Sequence, residues 1–235
     1  MKTLKTILLL AIITITGTAF AGNSDETQNR DVHNFNAIKV STGIDLYLTM
    51  GTSETVKIVA DDDIIDDIKT EVKDGTLHIY MKRNNWFNWG GINKTRKAYV
   101  SVKELVELHA SSGSDVESEN TLEGESLDVS ASSGSDIELD VHYKNFSIDA
   151  SSGSDAEISG NVKYLKAEAS SGSDIDASDL ESQFCKVKAS SGSDVSVTVT
   201  EELEADASSG ADIVYYGNPK MRDIDESSGG DVRGR

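Results

Sequence analysis

Apolar and polar residues alternate with period two through most of the chain, which is the signature of half-buried strands. The alternation is clearest on either side of a recurring Ser-Ser-Gly-Ser-Asp segment. Ahead of it run Leu127-x-Val129-x-Ala131, Phe146-x-Ile148-x-Ala150, Leu165-x-Ala167-x-Ala169, Cys185-x-Val187-x-Ala189 and Leu203-x-Ala205-x-Ala207. Behind it run Ile137-x-Leu139, Ala156-x-Ile158, Ile175-x-Ala177, Val195-x-Val197 and Ile213-x-Tyr215. Each unit therefore predicts a strand, a tight corner, a strand and a turn. Glycines of the five full copies and two degenerate ones fall at 113, 134, 153, 172, 192, 210 and 229, so the period drifts between 18 and 21 residues.

One such unit is too thin to bury its apolar edge, and stacking supplies the missing cover. Leucine-rich repeats need a helical arc that these units lack. The expected fold is all-β: a right-handed parallel β-helix of roughly 19–21-residue coils, the hand following from the usual sense of parallel connections. At about 4.8 Å per coil, seven copies make a column about 30 Å long.

Within the corner, alternation from Ala131 places Ser133 and Ser135 inward and Asp136 outward. Inward serines stacked above one another can hydrogen-bond along the ladder, and glycine supplies the unusual backbone angles. The outward residues Asp115, Asp136, Asp155, Asp174, Asp194, Asp212 and Asp231 then form a carboxylate row. Two readings stand. Asp136, Asp155, Asp174 and Asp194 could collect Ca²⁺, a hard cation that takes oxygen ligands. Alternatively, each Asp accepts hydrogen bonds from corner serines or amides and faces water. The spacing is neither that of nonapeptide calcium repeats nor that of an EF-hand, and no other cofactor is suggested.

The N-terminal part continues the strand pattern less regularly. The segment Ser41-Thr42-Gly43-Ile44-Asp45 reads as a weak earlier corner. Residues 62–68 suggest one short helical turn, and Asp74-Gly75 marks a hairpin. The organisation expected is a leader over 1–21, a linker over 22–34 and one β-helix domain over 35–235. Within that domain, strands at 35–108 continue or cap the stack and regular repeats fill 109–235.

These ordered features resemble the putative auto-transporter adhesin, head GIN domain family. The resemblance is carried by residues 35–48, by 56–80 with its Asp-Asp-Asp-Ile-Ile-Asp-Asp-Ile block, and by 98–115. The serial Ser-Gly-Ser-Asp corners and Tyr215-Tyr216-Gly217-Asn218-Pro219 complete it. It implies a β-helix and an adhesin-like role, and it supplies no catalytic residues.

Charge and special segments narrow the function. Lys2 and Lys5, an apolar run at 7–15 and the closing Ala19-Phe20-Ala21 have the form of a secretory leader cleaved after Ala21. Its loss takes two lysines and moves the formal charge from −19 to −21. Such a charge is repelled by nucleic acid and by anionic lipid. No later apolar run is long enough for a transmembrane anchor after cleavage. The single Cys185 cannot form an internal disulfide and reads as a small buried hydrophobe.

A basic, aromatic island interrupts this acidity. Trp86, Phe87 and Trp89 are flanked by Arg83 and Lys94. Either it is an exposed loop that contacts a glycan or a cell-envelope protein, or its tryptophans fold back to cap the column. The Asp61-Asp62-Asp63 and Asp66-Asp67 block reads as a solvated acidic face, with a local cation site as the alternative. His33, His78, His109 and His142 are scattered, and no catalytic or zinc motif appears. A polysaccharide-active β-helix enzyme would need Ca²⁺ beside a base such as Lys144, Lys163, Lys166, Lys186 or Lys188. The sequence favours a non-enzymatic, adhesin-like binding or scaffolding protein, located in the periplasm, at the cell surface or outside. Self-assembly is a second candidate, because β-helix ends pair with other chains unless capped; Arg222, Arg233 and Arg235 are the expected C-terminal cap.

Overall fold

The computed structural model describes residues 24–82 and 94–235. In chain order the strands are β1 (Asp25–Arg30), β2 (Ala37–Ser41), β3 (Asp45–Met50), β4 (Thr55–Asp61), β5 (Ile68–Lys73), β6 (Thr76–Met81), β7 (Arg96–Val102), β8 (Glu107–Ser111) and β9 (Val116–Ser118). The regular part follows with β10 (Leu122–Ser132), β11 (Asp136–Ser151), β12 (Asp155–Ser170), β13 (Asp174–Ser190), β14 (Asp194–Ser208), β15 (Asp212–Tyr216), β16 (Met221–Ser227) and β17 (Asp231–Gly234). They form a parallel β-helix. The arms ahead of the corners stack in the order β6, β2, β8, β10, β11, β12, β13, β14, β16. The arms behind them stack as β7, β3, β9, β11, β12, β13, β14, β15, β17.

The corners lie over one another. Ser132, Ser151, Ser170, Ser190, Ser208 and Ser227 are successive ladder partners, as are Asp136, Asp155, Asp174, Asp194, Asp212 and Asp231. The drifting period is absorbed elsewhere. Register shifts fall between Glu157 and Gly160 and between Ala177 and Phe184, at the bend opposite the corner.

One inward assignment needs correcting. Ser135 is fully buried, but Ser133 is exposed. The cause is the backbone: Ser133 (φ 59°) and Gly134 (φ 67°) are consecutive left-handed residues, and this pair breaks the alternation that strands obey. The buried serine then ties its own coil to the one before. Ser154 Oγ donates to Ala131 O at 3.0 Å and accepts from Ser151 N–H at 3.0 Å. Ser173 and Ser193 repeat this with Ala150 and Ala169. Gly172 N–H and Gly192 N–H donate to Ser191 O and Ser209 O of the next coil, each at 3.2 Å. Alanine precedes each of the five full corners, at 110, 131, 150, 169 and 189.

The N-terminal strands both continue and cap the stack, in an order the repeat does not predict. The coil made by β2 and β3 sits between the coil of β6 and β7 and that of β8 and β9. The chain builds the second level, doubles back to build the first, and then steps past both. The reversal is made by β4, which runs antiparallel to β7, and by the β5–β6 hairpin, whose Asp74-Gly75 turn has both residues left-handed. A 3₁₀ turn at Ile65–Asp67 lays buried Ile64 and Ile65 across this end. The expected linker at 22–34 carries a strand instead. β1 is polar and lacks the period-two signal; it is held by antiparallel pairing with β4 and by Arg30 Nη2 donating to Ile65 O at 3.0 Å. Asp61 also departs from expectation. It is buried, and its Oδ1 accepts from Thr95 N–H at 3.1 Å, whereas Asp62, Asp63 and Asp66 are exposed.

The bend sets a different limit. Gly160 (φ 114°) packs so closely on Val141 that a Cβ would lie 2.1 Å from Val141 O. A Cβ on Gly172 (φ 65°) would meet nothing within 4 Å. Gly172→Ala therefore carries only the left-handed penalty, about 1 kcal/mol. Ser154→Ala loses buried hydrogen bonds on both sides, about 1–3 kcal/mol. Gly160→Ala should be the most damaging of the three, and thermal melts of the three variants check that order.

Candidate functional site

The outward residues behind the corners form one acidic wall. The aspartate row of the ladder continues through Asp115 to Asp45, each one residue ahead of the paired Val116 and Leu46. Two residues further along each strand, the alternation brings Glu117, Glu138, Glu157 and Asp176 outward as a second row. Between the rows runs a groove of about 580 Å³, from Asp45 and Tyr47 to Asp174 and Asp176.

Stacking like charges at the coil spacing costs on the order of 1 kcal/mol per adjacent pair even in water. The structure shows the strain where the wall is most enclosed. Partial burial pushes the Asp115 carboxyl up from its ordinary value, and the Asp136 and Asp45 carboxylates push in the same direction. Burial also raises Asp45, against the opposing pull of Lys97 and Arg96. Backbone amides relieve part of the charge: Asp174 Oδ1 accepts from Asp194 N–H at 3.2 Å. Cations close both ends. Lys97 pairs in register with Asp45, and Arg233 bridges Asp212 (2.9 Å) and Asp231. At the Lys97 end, Tyr47 and Tyr99 stack with centroids 4.9 Å apart, and Lys57 lies 4.1 Å from the Tyr99 centroid.

Of the residues expected to contact a partner, Arg83, Trp86, Phe87 and Trp89 lie outside the described residues. Their segment leaves after β6 and returns before β7, the chain position that a Ser-Gly corner holds in the other coils. Lys94 is engaged: its ammonium pairs with Asp63 and its side chain is only 16% exposed. Asp136, Asp155, Asp174 and Asp194 share one row, one per coil. Among the described residues, no three His, Cys, Asp or Glu side chains converge as a metal ion would require.

The basic residues of the enzymatic alternative sit apart from that row. Lys166, Lys186 and Lys188 lie on the arms ahead of the corners, paired with Glu168 (3.1 Å), Glu204 (2.5 Å) and Asp206 (4.0 Å). Lys144 pairs with Glu125 at 3.2 Å. Cys185 is buried, and burial pushes its thiol up to about 12, which removes it as a nucleophile at neutral pH. His33 and His109 contact Asp31 and Glu107 at separate places.

Sequence reasoning missed the second acidic row and the Tyr47–Tyr99 stack. The row was available from alternation, since each member follows its Asp by two. The tyrosine stack was not, because it depends on β7 lying next to β3. A third contact, Tyr164 on Phe184 at 5.0 Å with Tyr164 41% exposed, follows from their separation by one repeat.

The Asp115 carboxyl titrates above its unfolded value, so the ionised folded form is the disfavoured one. Its contribution to stability therefore improves as pH falls through the folded pKa, and the gain is complete below the unfolded value. Asp115→Asn should melt above the wild type at neutral pH, with the gap closing below about pH 4. A gap that is constant with pH would assign the effect to packing instead.

Comparison with known proteins agrees with this architecture. A family model described as "Putative auto-transporter adhesin, head GIN domain" matches residues 34–219. A crystal structure of a putative adhesin from Bacteroides fragilis superposes with a TM-score of 0.84 at 19% identity, covering 91% of this chain and 98% of that one. A putative lipid binding protein from Parabacteroides distasonis gives 0.73 at 20% identity, covering 92% and 98%. A putative adhesin from the same species gives 0.71 at 20%, covering 91% and 98%. No curated protein matches the chain. The identities support the fold alone; the family match extends over most of the sequence, and the chain belongs to the head GIN domain family of putative auto-transporter adhesins.

Proposed function

We propose that this is an exported, non-enzymatic, adhesin-like binding or scaffolding protein of the cell envelope, which holds a glycan or an envelope protein against the wall of its β-helix. The observation that supports this reading is the acidic groove. Its carboxylates repeat at a fixed interval along successive coils, so they suit a ligand that is itself extended and repetitive. Carboxylate oxygens accept hydrogen bonds from sugar hydroxyls and from ammonium groups, and the tyrosine stack at one end adds an apolar surface. A cationic partner would be met by electrostatic attraction to the acidic wall and would depart at raised salt.

The aromatic segment is a second contact in this reading. Trp86, Phe87, Trp89 and Arg83 belong to the stretch that joins β6 to β7, close in the chain to the Lys97 end of the groove.

A glycan array with purified protein tests the proposal. Binding to defined glycans should fall by on the order of tenfold or more when Asp136, Asp155 and Asp174 are changed together to Asn, with folding checked by circular dichroism. Trp86→Ala with Trp89→Ala should weaken the same binding without lowering the melting temperature. Binding indifferent to both sets, or new reducing ends in the glycans after incubation, would sink the reading.

A further inference from the structure

The two ends of the column are finished differently. At the N-terminal end, β1, β4 and β5 run antiparallel to their neighbours and Ile64 and Ile65 cover the core. At the other end, among the described residues, β16 is paired only with β14. Such an edge presents unpaired backbone N–H and C=O groups. Its register with β14 pairs Leu203 with Arg222, Ala205 with Ile224 and Ala207 with Glu226, so these three side chains project over the end of the core. Arg222 Nη1 donates to the Tyr215 hydroxyl at 3.0 Å, and Glu226 Oε1 accepts from Val232 N–H at 2.7 Å. The apolar cover is incomplete. Over the core Ile224 is 40% exposed, and Met221, on the outer face beside Glu202, is 62% exposed.

We propose that β16 is the contact strand of a two-fold symmetric dimer, pairing antiparallel with β16 of a second copy about Ile224. The occupant follows from charge. Arg222 and Glu226 lie two residues either side of Ile224. Antiparallel pairing about that residue sets Arg222 opposite the partner's Glu226, and Glu226 opposite the partner's Arg222. Ile224 meets its own symmetry mate, which removes apolar surface that the monomer leaves in water. Head-to-tail stacking, which would make a fibre, would set β16 against β1 or β5 at the other end and lose the symmetric pairing of Arg222 with Glu226. On the solvent side, Asp223 faces the partner's Asp225, a like-charge pair that limits affinity. The inference does not rest on the binding role proposed above; it concerns assembly through β16, which lies beyond the matched family region.

Sedimentation velocity over a concentration series, with light scattering for mass, tests it. The wild type should reach twice the monomer mass and no more. Arg222→Glu places Glu opposite Glu at both symmetric pairs and should raise the dissociation constant on the order of a hundredfold. Adding Glu226→Arg restores opposite charges and should restore the dimer. Asp223→Lys, on the exposed side, replaces a repulsion with an attraction and should tighten it, so the test does not depend on whether Arg222→Glu folds. A wild type that stays monomeric together with Asp223→Lys, a dimer indifferent to Arg222→Glu, or polymers that lengthen with concentration would each overturn the proposal.

Discussion

The structure depends on a register lock at the corner. Two left-handed residues turn the chain, and the serine that follows reaches back to bond both its own coil and an alanine carbonyl of the coil before. Parallel strands alone leave register to side-chain packing, and a slip by one would exchange the buried and exposed faces. The serine removes that freedom, because its hydroxyl finds both partners in one alignment only. Variation in coil length must then be taken up where no such lock exists. The register shifts accordingly fall at the opposite bend, near Gly160 and around Ala177–Phe184. Where the lock weakens, the corner residue shrinks. Alanine stands at 211, and at Gly230 a Cβ would lie 2.4 Å from the Ala207 backbone.

The acidic wall is a consequence of that lock. Once the serine is fixed inward, the next residue must face out, and every coil from that of β2 and β3 onward places an aspartate there, while the β6–β7 coil places Lys97. The inner rows answer to packing and the outer rows do not, so the outer rows are where a binding surface can be written without disturbing the fold. The second outer row illustrates this: it is acidic at 117, 138, 157 and 176 but changes to Ser196, Val214 and Arg233 further along. The wall is therefore acid in its middle and balanced at its tips by Lys97 and Arg233, on a backbone that is nearly the same throughout.

Much of this was legible in the sequence, for a physical reason. A solenoid brings residues one period apart into contact, so a linear repeat encodes tertiary neighbours directly. The corner stack, the inward Ile and Val positions, the outward aspartates and the buried Cys185 all follow from period and alternation. Ser133 was misassigned because alternation presumes extended backbone, and two left-handed residues suspend it. β1 was missed because an edge strand held by backbone bonds needs no hydrophobic pattern. The order of the first levels was beyond reach: nothing local to β2 records that β6 will later settle beneath it. The contact face inherits the same division, since its regular rows were readable and the Tyr47–Tyr99 stack was not.

That inverted order has a consequence for folding. The regular coils can be added one at a time, each on a finished neighbour, with closure distances of about one repeat. The β2–β3 coil cannot be covered on either side until residues 76–118 are in place, because its partners are β6 and β7 on one side and β8 and β9 on the other. Contacts of that separation carry a larger loop-closure cost before they give any return. Loop-closure cost alone therefore favours forming the serine-locked coils before the N-terminal cap. Capping by reversed strands is what ends the stack, since a parallel edge left open there would template another chain. At the far end, among the described residues, the Arg222 and Glu226 side chains lie partly over the core while the parallel β16 backbone edge stays unpaired, so there the requirement is left open.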